Sequence, residues 1–265
     1  SKDIVIALSS IVGEGVTVRG PPDDDFAITY SSSASLILEA QSGGIYISSG
    51  VVILADKLIL LASGPVTSLG TIRTNILTEQ GASFYLAGTV EVVQAYMQNL
   101  DNAITYGTGN YSGTYSDTAD VIIDTNAVIT LTGITTFQAD SDADGTGAFT
   151  MNAGSSITGA YGLTLYTSQA ATLRAIGSPT GVGALQLYRS QTIATPTYTA
   201  NNAITASSLT INTGVTLDIT NQTLTLSGTG TVLTKTGSFT TTGSTVVYTG
   251  TTTATNITTT AYNNL

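Results

Sequence analysis

Residues 209–250 read LTINTGVTLDITNQTLTLSGTGTVLTKTGSFTTTGSTVVYTG. The stretch divides into short apolar segments that each end in small residues, at Thr213-Gly214, Thr220-Asn221, Ser227-Gly228, Thr236-Gly237, Thr242-Gly243 and Thr249-Gly250. Within each segment apolar residues alternate with Thr or Ser. A period of two marks a strand with one buried face. Gly and Asn at the breaks suit tight turns. Short strands recurring this regularly predict a coiled, repetitive β architecture. The function of such a rod comes from its length and surface more than from one pocket.

The same grammar runs through residues 33–94, where ASLILEA, GIYISSG, VVILA, KLILLAS and ASFYLAG read as successive strands. Several are nearly continuous apolar runs, which suit parallel strands with neighbours on both sides. Asp56 and Lys57 interrupt the longest run, Val51 to Ala62, and read as a solvated corner. Alternation places Leu36, Leu38, Ile45, Ile47, Leu58, Leu60, Leu209, Ile211, Leu224 and Leu226 inside. Three strand-and-turn units of about seven residues make a coil of about 20, so the chain would hold roughly 13 coils in a rod about 60 Å long. The expectation is one all-β domain over 1–265, a right-handed parallel β-helix with about three short strands per coil. No segment of useful length has helix periodicity.

Two segments depart from the pattern. Residues 95–120, AYMQNLDNAITYGTGNYSGTYSDTAD, scatter Tyr96, Tyr106, Tyr111 and Tyr115 among Gly, Ser, Thr and Asn. They read as a protruding loop that could present tyrosines to a ligand. Residues 140–145 read as an acidic turn, and GPPDDDF (20–26) as another loop.

SASLILEAQSGGIYISSGVVILADKLILLASGPVTSLGTI resembles the repeats of filamentous-haemagglutinin-like secreted adhesins. STVVYTGTTTATNITTTAYNNL is similar to a repeat of large bacterial surface proteins, matched by Thr245 to Gly250 and Tyr262 to Leu265. The resemblance implies a right-handed parallel β-helix on a secreted or cell-surface protein. That family's amino-terminal secretion domain is not found here, and the chain stops at YNNL, where the repeat would continue. A fragment, or a subunit whose end is completed by a neighbour, is therefore expected.

Composition narrows the function classes. Apolar residues make up 42%, enough for a core, but charged residues only 9%. Thr fills the surface instead, with 27 in the last 75 residues. The scarcity of Pro and the strong strands argue against a mucin-like stalk. Net charge is −10 with no basic cluster, so nucleic acid is not an expected partner. No apolar stretch reaches membrane-spanning length. The chain has no Cys and no His, which removes disulfides, thiol catalysis and Cys-based zinc sites.

The sharpest chemical motif is Asp140-Ser-Asp142-Ala-Asp144-Gly145. Alternate carboxylates followed by Gly match the first half of a calcium loop, with the Thr146 carbonyl as next ligand. The second half fails, because position twelve is Met151 and not Glu. Asp23, Asp24 and Asp25 are weaker, since adjacent carboxylates cannot all point at one ion. Asn110, Asn221 and Asn256 begin sequons. A polysaccharide lyase or hydrolase would need Arg174 or Arg189 near the aspartates. An ice-matching surface would need Thr-x-Thr in every coil, and the early coils lack it. The expected function is a non-catalytic subunit of an extracellular fibre, joined head to tail through residues 1–12 and 250–265. The alternative is a monomeric adhesin segment that binds glycan or a host surface protein.

Overall fold

The computed structural model describes residues 4–6, 17–19, 26–29, 35–40, 44–97, 103–251, 255–258 and 260–265. Among them the chain is all-β without a helix, and its strands pair in parallel through about ten turns of a β-solenoid. One antiparallel pair, Thr17–Arg19 with Phe26–Thr29, is the exception.

Each coil contributes a rung to three faces. The first face stacks Ile45–Ile47, Val66–Ser68, residues 84–86, residues 104–106, Val121–Ile123, Phe149–Met151 and onward to Ser238–Thr240. The second carries the column Ile129, Ile157, Ile176, Ile204, Leu224, Val246. The third carries Leu36, Leu58, Leu77, Ala95, Tyr115, Phe137, Leu165, Leu187, Ile211. All of these second- and third-face residues are buried. Alternation sends every second side chain inward, and parallel register sets each on its counterpart in the next coil, so one core runs along the axis. All ten inward positions predicted from alternation are buried, and Asp56 is exposed at its corner.

The corners explain the small residues. Ala127 N–H donates to Asp124 O (3.1 Å), Ser155 to Asn152 O (3.1 Å), Gln222 to Ile219 O (2.8 Å) and Ser244 to Thr241 O (3.0 Å). The third residue of each turn, Asn126, Gly154, Asn221 or Gly243, has φ between 58° and 73°. That is the type II pattern, which demands a residue tolerant of positive φ. Corner length varies, so coil length does too. Register partners on the first face are separated by 17 residues at Ile104 and Val121 but by 28 at Val121 and Phe149. Among the described residues there are about ten turns.

The tyrosine segment is also corrected. Residues 104–117 are one 14-residue strand, Ile104–Asp117, that supplies rungs to all three faces. Its glycines let coils approach closely. A Cβ on Gly109 would lie 1.9 Å from Gly88 O, and one on Gly113 (φ 103°) 1.7 Å from Val92 O. Tyr106, Tyr111 and Tyr115 are fully buried, where their rings pack with one another and with Phe137. Of the four tyrosines only Tyr96 is exposed.

Candidate functional site

The wide coil between Val121 and Phe149 places its extra residues at the corner from the third face to the first. There the inward-facing Ala139 is followed by Asp140, which is itself fully buried. Asp140 (φ 55°), Ala143 (φ 61°) and Gly145 (φ 95°) bend the backbone around the Asp140 carboxylate. That carboxylate accepts N–H from Asp144 (2.8 Å) and Gly145 (3.1 Å), and the hydroxyl of Ser168. Burial pushes its carboxyl above the usual range, opposed by the Ser168 hydroxyl and the Gly145 and Asp144 amides.

Asp142 and Asp144 remain exposed. One carboxylate oxygen from each of Asp140, Asp142 and Asp144 lies within 4.8 Å of the others. Thr146 meets Asp144 through its N–H (2.9 Å) and its hydroxyl (2.5 Å), which hold the Asp144 carboxyl below its ordinary value. Three carboxylates this close repel one another unless a cation or proton intervenes. Met151 is buried on the first face and cannot serve the loop, as its sequence position implied. The loop also leans along the rod. Gln169 donates to Gly145 O (3.1 Å), Gln191 to Ala143 O, and Ser190 to Ala139 O. Two later coils thus hold the acidic corner.

The other candidates fall elsewhere. The Tyr111 hydroxyl lies 2.8 Å from Leu86 O and 2.9 Å from Gly107 O, and that of Tyr115 lies 2.5 Å from Val90 O and 3.0 Å from Ser112 O. Buried phenols here satisfy carbonyls at corners where the ladder shifts register. They are structural caps, which corrects their reading as a ligand loop. Asn110, Asn221 and Asn256 are all exposed, with the amides of Asn110 and Asn256 near Thr89 Oγ1 (3.3 Å) and Thr231 Oγ1 (3.4 Å). Arg174 reaches Met151 O and Arg189 reaches Ala194 O. Among the described residues neither pairs with an acid, and the ion pair present is Arg73 with Glu91 at 2.7 Å. Asp23 to Asp25 and most of residues 1–12 lie outside the described residues.

Sequence reading missed two interior acids, Glu79 and Asp117, both fully buried. The signal was present: in TIRTNILTEQ the inward phase that buries Leu77 also turns Glu79 inward.

Fold and corners define a repeat-containing β-solenoid. Compared with protein-family models, with curated proteins and with solved structures, the chain gives no match. Among the described residues no helix is long and apolar enough to cross a membrane.

Proposed function

We propose that this chain is a non-catalytic rod of a secreted or cell-surface fibre, of the kind its repeats resemble, and that copies associate end to end. The observation that supports this is a coil whose far strand edges meet no strand among the described residues. Leu233–Lys235 and Ser238–Thr240 each pair with the coil before and, among the described residues, with no strand after. Phe239 and Tyr248 are only partly buried against the end of the core. The tail covers part of this surface: Asn264 bridges to Thr245, the Tyr262 hydroxyl lies 2.8 Å from that of Tyr248, the Thr258 hydroxyl donates to Leu233 O, and the Thr241 hydroxyl donates to Ala261 O. Unpaired strand edges over an apolar end are a template for another chain. A head-to-tail contact of this kind does not close and builds a filament. Phe239→Lys places a charge on that edge. Sedimentation velocity should show concentration-dependent growth for the unaltered chain and its loss in Phe239→Lys with unchanged circular dichroism. Equal growth in both would contradict the end-to-end reading.

Calcium is the proposed ion for the acidic corner, held by Asp140, Asp142 and Asp144, with the Thr146 carbonyl as a further oxygen. The convergence of three carboxylates supports it. A ligand bound only by the folded state raises stability by mass action. Millimolar calcium should raise the melting temperature by a few degrees over chelator, and Asp142→Asn with Asp144→Asn should abolish the difference. Identical melting with and without calcium would leave the corner held by its own hydrogen bonds.

A further inference from the structure

Two carboxyl groups lie inside the rod, in register with the buried Leu38 and Leu60 of earlier coils. Register places Leu38, Leu60, Glu79, residue 97 and Asp117 in succession on the third face, and Leu38, Leu60, Glu79 and Asp117 are buried there. Glu79 and Asp117 are both fully buried, two coils apart. The adjoining first-face column brings Ser68 and Tyr106 to the same two coils, also buried. Among the described residues the hydroxyls of Ser68 and Tyr106 have no hydrogen-bond partner. Asp117 accepts N–H from Ile104 (3.1 Å) and Ala119 (3.1 Å). Beyond burial, Asp117 raises Glu79, Asp120 raises Asp117, and both Glu79 and Asp117 act on Tyr106. Arg73 pairs with Glu91 at the surface, and Lys57 alternates with the buried Leu58.

We infer that Glu79 and Asp117 form a pH-sensitive latch: as neutral carboxyls they hold the coils spanning residues 66–117 closed, and their ionisation loosens those coils while the C-terminal coils stay intact. An ionised carboxylate in an apolar column is costly, whereas a neutral one can donate to a neighbouring hydroxyl or carbonyl. Burial, with Asp117 adding repulsion, pushes Glu79 up to about 8. Burial also pushes Asp117 up to about 7, partly offset by the Ala119 and Ile104 amides. In the opened chain both return to the ordinary carboxylate range near 4. Opening therefore releases protons between about pH 4 and pH 8, so closure is favoured at the acidic end of that window and weakens as pH rises. The effect is local because each coil couples mainly to its neighbours. The C-terminal coils supply a control within the same molecule, since Asp218 is the sole acid after Asp144.

Hydrogen exchange of the full chain, followed by mass spectrometry at pH 5, 6, 7 and 8 and corrected for intrinsic exchange, tests this. Opening of peptides within 66–117 should rise about tenfold per pH unit for each proton released. Peptides within 204–226 should change far less. Glu79→Leu, which continues the Leu38–Leu60 column, combined with Asp117→Asn should remove the pH dependence. Glu79→Gln alone, a gentler change should the double variant not fold, should reduce its slope. Equal pH dependence of the two regions in the unaltered chain, or unaltered dependence in these variants, would overturn the proposal.

Discussion

Leu187→Asp is expected to lower the melting temperature by on the order of 10 °C, through a loss of several kcal/mol. Leu187 is fully buried and sits between Leu165 and Ile211 in the third-face column. A carboxylate there would have apolar neighbours in the coils above and below, with no route to water. Its sequence neighbour Gln186 faces outward, between Thr164 and Thr210. Gln186→Asp should therefore change stability by less than about 1 kcal/mol. The contrast between adjacent residues tests the inward and outward phase directly by thermal or urea denaturation. Comparable losses from both would place the core elsewhere.

Tyr111→Ala is expected to cost about 3–5 kcal/mol, as do other large aromatic truncations in a packed core. The ring packs edge-on against Tyr106 and Tyr115, with centroids 5.8 and 6.0 Å away. Tyr111→Phe keeps the ring and removes the group shared by Leu86 O and Gly107 O, a loss of about 1–3 kcal/mol. The order Tyr, Phe, Ala in urea midpoint distinguishes a capping tyrosine from a surface one. A ligand-presenting loop would instead tolerate both changes without loss of stability.

The strand phase was legible because Thr and Ser alternate with Leu, Ile and Val over nearly every rung, and burial enforces that alternation. Individual coil lengths were less legible, because corner length follows local needs such as the acidic insertion at 139–148. The segment around Tyr106–Tyr115 misled for a definite reason. Glycine marks turns in most sequences, but it also marks places where two backbones nearly touch. Gly109 against Gly88 is the second case, and one sequence cannot distinguish the two. At the acidic corner the Asp-x-Asp-x-Asp spacing was visible, while its supports were not. Ser168 and Gln191 come from later coils, 28 and 48 residues from the groups they hold. Only the solenoid's stacking brings them there.

Electron microscopy of the purified chain across a range of concentrations tests the structural role most directly. About ten turns at the strand spacing make a rod of about 50 Å. Joined end to end, such rods should appear as unbranched fibres one rod wide that lengthen with concentration. Single rods of unit length at every concentration would contradict the account.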